Sequence, residues 1–304
     1  MIKIFQEHNR PQDLLAKLAL TGTAIGDAFG QCFFNTRPQI AQWLSQKQLP
    51  SAPWYFTDDA IMTIGLVQHL FQYKDIQPDQ LAHIWATNYQ KDISRGYGGT
   101  AHKILREIGE GRPWQEAANE VFSGMGSMGN GAAMRVAPLG AYFTENIPHL
   151  IQQARVSAQI THAHEEAQAG AIAVTIAAHL AAYTSLEGNH WLEQVTKQTP
   201  ESDTKNKILK SLTLPKSYRI ETITHALGNG HQMLAQDTVP LALWCAAHHF
   251  DDFADALWKT VSALGDRDTT CAMVGGIVAL RVGWEGIPST WLTATEPITQ
   301  SWLV

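Results

Sequence analysis

Two short stretches put acids where acids do not help packing. In WYFTDDAIMT, residues 54–63, Thr57 is followed by Asp58 and Asp59 and then by an apolar run. In GDRDTTCAMVGGIVAL, residues 265–280, Asp266 and Asp268 flank Arg267, Thr269 follows, and small apolar residues continue the segment. Either stretch taken alone fits ordinary helix grammar, since Thr or Asp at an N-cap and acids in the first turn satisfy free N–H groups and the positive end of the helix dipole. Together they mirror each other. If the two helix starts meet, four carboxylates and two hydroxyls converge, and bare acids packed so closely repel and take up protons. Divalent cations remove the conflict. An all-oxygen donor set favours hard ions, Mg²⁺ or Mn²⁺, over zinc. Two such ions can activate a water and clamp an anionic or hydroxyl-rich substrate.

Three further stretches carry chemistry. GMGSMGNGAAMRVAPLG, residues 124–140, sets Ser127, Met128 and Asn130 among five glycines, with Arg135 close behind. Glycine lets backbone N–H groups approach a phosphate. The loop is neither a dinucleotide fingerprint, because no strand precedes it, nor a Walker loop, because no Lys-Ser or Lys-Thr ends it. RGYGGT, residues 95–100, is a glycine-flanked aromatic turn fit for stacking on a base or ribose. THAHEE, residues 161–166, places His162 and His164 at a helix start. Their spacing of two is wrong for one helix face, so His162 reads as a hydrogen-bonding pocket residue, not as a metal ligand.

The elements that must position these groups read as helices. Apolar residues recur at three and four over 12–28, 59–73, 77–90, 147–160, 165–184, 219–234, 238–248, 253–263 and 269–283. No convincing strand is present. Ala and Gly fall on inward positions, which lets helix axes approach closely. No Pro-, Gly- or Ser-rich linker divides the chain, and the polar segment 196–217 reads as a surface excursion. The expectation is one all-α domain over residues 1–304.

The bulk numbers narrow the field. A chain of 304 residues with 45% apolar and 16% charged residues has an ordinary globular composition. The formal charge of −6, with no cluster of Lys or Arg, argues against nucleic acid as a partner. The apolar stretches are too short or too interrupted to span a membrane. Cys32, Cys245 and Cys271 are widely spaced and read as buried thiols of a reducing compartment. With no signal-peptide pattern at the start, a cytoplasmic protein is expected, and a monomer.

In order along the chain, GTAIGDAFG, FTDDA, RGYGGT, GSMGNGAAMR, THAHEEA, GDRDTT and GIPSTW resemble the motifs of the ADP-ribosylglycohydrolase family. The resemblance spans most of the chain. It implies a compact orthogonal helical bundle holding two Mg²⁺ or Mn²⁺ ions. It also implies hydrolysis of the glycosidic bond between ADP-ribose and a protein side chain. By motif, Thr57, Asp58, Asp59, Asp266, Asp268 and Thr269 correspond to metal ligands, with Asp58, Asp59 and Asp268 as candidate proton acceptors. Asp27 corresponds to an acid near the metals and is a further candidate catalytic residue. Ser127, Met128, Gly129 and Asn130 correspond to the loop that receives the diphosphate and ribose, and Gly96, Tyr97, Gly98 and His162 to contacts around ADP-ribose. Two departures matter. Met128 stands where some members have an aromatic residue. Phe34 stands where many have a glutamate, so the linkage expected is that to arginine. The alternatives are a small ADP-ribosyl metabolite as substrate, or an inactive ADP-ribose-binding relative.

Overall fold

A computed structural model describes residue 5 and residues 7–34, 37–144 and 146–304. Its longest helix, α1 (Pro11–Gln31), is buried almost throughout from Ala16 to Gly30. The reason lies in GTAIGDAFG. Gly22, Gly26 and Gly30 are four residues apart, so they form one bare stripe along the helix. That stripe lies against the backbone of the helix Arg267–Val282. A Cβ on Gly22 would come 2.2 Å from the Gly275 carbonyl oxygen, one on Gly26 2.0 Å from that of Cys271, and one on Gly30 2.2 Å from that of Arg267. No side chain fits there, and the two helices touch backbone to backbone.

After α1 come a single 3₁₀ turn, Cys32–Phe34, and α2 (Arg37–Gln46). Then follow α3 (Asp58–Tyr73), α4 (Pro78–Lys91), α5 (Gly99–Gly109), α6 (Trp114–Asn119) and α7 (Ala137–Tyr142). Next are α8 (Ile147–Gln159), α9 (Glu165–Tyr183), α10 (Gly188–Gln198), α11 (Asp203–Ser211) and α12 (Ile220–Leu227). The chain closes with α13 (Ala235–His248), α14 (Phe253–Val261), α15 (Arg267–Val282) and α16 (Ser289–Ala294). No strand occurs among the described residues; two isolated bridges, Trp54 to Thr295 and Gly129 to Leu234, are the only extended pairings there. The all-α expectation holds. No helix of the described residues is long and apolar enough to cross a membrane.

Helices α1, α9 and α15 form the centre. Helix α9 is buried on all faces from Ala167 to Ala178, and it packs on α7, α8, α13 and α15. Small residues on every side make that possible. At one end an aromatic knot seals the bundle. Phe29 stacks on Trp291 at 4.5 Å and meets Trp258 edge-on at 5.0 Å. The C-terminal segment then grips the chain just before α3. Trp54 N–H donates to the Ala294 carbonyl at 2.7 Å, Glu296 N–H to that of Trp54 at 2.9 Å, and Phe56 N–H to the Glu296 carboxylate at 2.9 Å. The aromatics ahead of Thr57 thus hold the acidic corner from behind.

Two expected elements differ. The helix anticipated over 219–234 ends at Leu227, because Gly228 turns the chain with φ of 96°, and 228–234 form a loop. The polar segment 196–217 is not merely an excursion. It includes α11, whose N-terminus is capped by the Ser202 hydroxyl and which buries Ile208.

Candidate metal and ligand site

Neither acidic corner caps its helix. Thr57 and Asp266 occupy the N-cap positions of α3 and α15, yet neither side chain accepts a backbone N–H of its own first turn. The Thr57 hydroxyl lies 2.9 Å from Asp27 Oδ1 and 3.1 Å from Asp59 Oδ2, close enough to donate to either. Asp27, on the glycine-striped face of α1, is fully buried. It accepts Thr57 N–H at 2.8 Å and Ala60 N–H at 3.0 Å through Oδ2. Two amides at the start of α3 are therefore satisfied by a carboxylate from another helix, which leaves Asp58 and Asp59 available for something else.

What they face is α15. The Thr269 hydroxyl lies 3.4 Å from Asp59 Oδ2. Asp27, Asp59 and Asp268 each present an oxygen within 4.8 Å of the others. Asp59 Oδ1 is fully buried and has no hydrogen-bond partner. A buried carboxylate oxygen without a donor is costly, and here it is surrounded by other acids. Burial drives the carboxyls upward, and their mutual repulsion adds to it. Asp27 and Asp58 are pushed up to about 7, Asp268 to about 6 and Asp266 to about 8, with Asp59 raised well above the usual carboxylate range. The charge of Asp268 beside it pushes Asp266 up further. Oxygen donors alone, an unpartnered oxygen and unrelieved negative charge together fit a hard divalent cation.

Above these acids opens a cleft of about 420 Å³. Asp58, Asp59, Asp266, Asp268 and Thr269 line its floor; Thr57 and Asp27 lie behind them. The turn Gly96–Tyr97–Gly98 forms one wall. Asp58 N–H donates to the Arg95 carbonyl at 2.7 Å, which ties the acidic corner to this turn. Gly96 has φ of 89°, and a Cβ there would sit 3.3 Å from Asp58 Oδ1. Ser127, Met128 and Gly129 form the opposite wall, and His162 lies beneath their loop. Asn130 lines the cleft as well. Its side-chain nitrogen donates to Asp266 Oδ2 at 2.6 Å and to the Thr238 hydroxyl at 3.0 Å. His164 turns away, and its Nδ1 caps α9 by accepting Glu166 N–H.

Sequence reasoning missed part of the lining. Gln232, Met233 and Leu234 close the cleft from the loop before α13. Asn130 N–H donates to the Met233 carbonyl and Ala235 N–H to that of Met128, so this loop pins the glycine wall. The Gly-Asn-Gly run at 228–230 was the available signal that no helix passes there. Phe122 and Met125, both exposed, form a rim. Phe34 is half exposed and outside the lining, with the Arg267 guanidinium 4.8 Å over its ring.

The family model for ADP-ribosylglycohydrolase matches residues 10–304. The chain belongs to the ADP-ribosylglycohydrolase family. A mouse relative of this ADP-ribosylglycohydrolase, ADP-ribosylhydrolase ARH3, is 31% identical, with 91% of this chain and 86% of the relative covered. ADP-ribosyl-[dinitrogen reductase] glycohydrolase of Rhodospirillum rubrum is 25% identical, covering 91% and 89%. Among solved structures, an ADP-ribosylglycohydrolase-related protein complex shares the fold with a TM-score of 0.66 at 22% identity, covering 94% of this chain and 93% of the other. As a member of an ADP-ribosylglycohydrolase family whose named relatives are hydrolases, the protein is an enzyme of the glycosidase type.

Proposed function

We propose that the protein hydrolyses the glycosidic bond joining ADP-ribose to a protein side chain, with arginine the preferred linkage. The observation that carries this reading is the convergence of acids from α1, α3 and α15 at and just behind the floor of the cleft, one of them with an unpartnered buried oxygen. Thr57, Asp58, Asp59, Asp266, Asp268 and Thr269 would hold two Mg²⁺ or Mn²⁺ ions, with Asp27 bracing Thr57 from behind. Bound there, such ions would supply positive charge to ribose hydroxyls and to an attacking water.

The chain's own groups have separate tasks. The loop of Ser127, Met128, Gly129 and Asn130 and the Gly96–Tyr97–Gly98 turn hold the two sides of the ligand, and His162 supplies a polar contact. Asp58, Asp59 or Asp268 accepts the proton of the attacking water. Carboxylates beside the anomeric carbon stabilise the oxocarbenium character of the transition state. The leaving group supports arginine. A glycosylated guanidinium already carries its proton and departs as neutral guanidine, whereas an alkoxide must be protonated as it leaves. Phe34 offers no carboxyl for that task.

We also take the protein to act as a single-domain cytoplasmic monomer. One buried cluster running from Ala16 to Trp302 and the free thiols of Cys245 and Cys271 support this. The decisive experiment compares ADP-ribosyl-arginine, ADP-ribosyl-serine and free ADP-ribosyl metabolites as substrates, with EDTA and then with restored Mg²⁺ or Mn²⁺. Metal-dependent release of ADP-ribose, fastest from arginine, is expected. Equal release after chelation, or none from any substrate, rejects the assignment.

A further inference from the structure

Arg135 ends the glycine-rich stretch yet is almost fully buried. Its guanidinium lies 3.8 Å over the Trp85 ring. Nη2 donates to the Ser157 carbonyl at 3.1 Å and to the Thr161 hydroxyl at 2.9 Å. Thr161 Oγ1 in turn lies 2.7 Å from His162 Nδ1. His162 reaches the cleft, and its ring lies against bare glycine backbone: a Cβ on Gly129 would be 3.2 Å from Nε2, and one on Gly131 3.1 Å.

The direction of this chain of bonds is forced. A guanidinium has no acceptor, so at Thr161 it can only donate. The Thr161 hydroxyl has one proton and sits in the interior. Its recorded partners among the described residues are Arg135 and His162, so the proton goes to His162 Nδ1. Were Nδ1 protonated instead, the hydroxyl proton would be buried without an acceptor. A neutral ring with Nδ1 accepting must carry its hydrogen on Nε2. Burial, and after it the nearby Arg135 charge, oppose a second proton, holding His162 down at about 3. Nε2 has no protein acceptor among the described residues.

We propose that Arg135 is a positioning residue which, through Thr161, fixes His162 as the Nε2–H tautomer, an obligate hydrogen-bond donor to an oxygen of the bound ligand, a phosphate or ribose hydroxyl. This rests on the reading of the cleft as an ADP-ribose site, and it assigns to Arg135 and Thr161 a task that neither motif reading contained. It also accounts for a cation buried beneath a site that has no salt-bridge partner for it. Within this relay the contact with ligand falls to His162, because Arg135 and Thr161 are almost fully buried.

The test is nitrogen NMR of ¹⁵N-histidine-labelled protein, which reports which ring nitrogen bears hydrogen and does not depend on turnover. Wild type should show a neutral Nε2–H ring for His162 from pH 6 to 8. Thr161→Ser should keep that signature, whereas Thr161→Val and Arg135→Met should give mixed tautomers. ADP-ribose affinity, measured by calorimetry on the same samples, should fall about tenfold in Thr161→Val and recover in Thr161→Ser, as expected for one lost hydrogen bond. A wild-type ring protonated on Nδ1, or an unchanged tautomer in Thr161→Val, overturns the proposal. The expected tautomers with no ADP-ribose binding in wild type would leave the relay standing and reject the ligand reading of the cleft.

Discussion

Gly26 lies so close to Cys271 that a single added methyl would reach to 2.0 Å from the Cys271 carbonyl oxygen. This contact sets the distance between α1 and α15, and therefore between Asp27 and Asp268. Gly26→Ala should force the helices apart. The expected cost is about 1–3 kcal/mol or more, as for other overpacked cores, together with loss of the thermal stabilisation expected when Mg²⁺ is added to the parent. Differential scanning fluorimetry with and without Mg²⁺ reads both effects. A variant as stable and as metal-responsive as the parent would show that the backbone contact does not set the site.

Asp268→Asn removes one charge from a crowded floor. Without metal the variant should melt at the same temperature as the parent or higher, because repulsion among buried carboxylates is relieved. With metal, turnover should fall about 10²- to 10⁴-fold, the range for a lost proton acceptor. Near-parental turnover with metal supplied would remove Asp268 from the reaction.

The metal-free protein should lose stability as pH rises. Burial and mutual repulsion lift Asp268 to about 6, Asp27 and Asp58 to about 7, and Asp266 to about 8. The folded chain therefore binds these protons more tightly than the unfolded chain does. Their contribution is complete below the ordinary carboxylate range and is lost as pH climbs through about 6 to 8. Melting temperature in EDTA should drop by several degrees between pH 5.5 and pH 8.5, and saturating Mg²⁺ should abolish the drop. A flat profile in EDTA would mean that the acids do not crowd one another.

Asn130 holds Asp266 at 2.6 Å. Asn130→Leu keeps the bulk and removes the donor, so Asp266 is free to turn. Metal affinity should weaken about 10- to 100-fold, as when other partners of ligand groups are lost, with the fold intact by circular dichroism. Titration of Mn²⁺ by its electron spin resonance signal measures this directly. Unchanged affinity would place Asp266 outside the metal site.

Much of the fold was legible because helices announce themselves locally. The apolar spacing over 59–73 and 253–263 describes α3 and α14 within a few residues. The error at 219–234 has a local cause as well, since the apolar spacing runs on past Gly228, whose left-handed backbone stops the helix. Helix α11 was passed over for a different reason. It is polar on most of its surface and is held by a cap and by one fully buried isoleucine, Ile208.

The residue types of the two acidic corners were determined by the sequence alone, as was the class of ion that oxygen donors prefer. Which of those oxygens is left without a donor was decided only in three dimensions. Asp27 takes the Thr57 and Ala60 amides at the start of α3, while Asp59 Oδ1 stays unpartnered. Asn130 belongs to Asp266, and Arg135 reaches His162 through Thr161. Periodicity reports that a face is buried but not what it is buried against, and a hydrogen bond between residues distant in the chain leaves no local pattern to read.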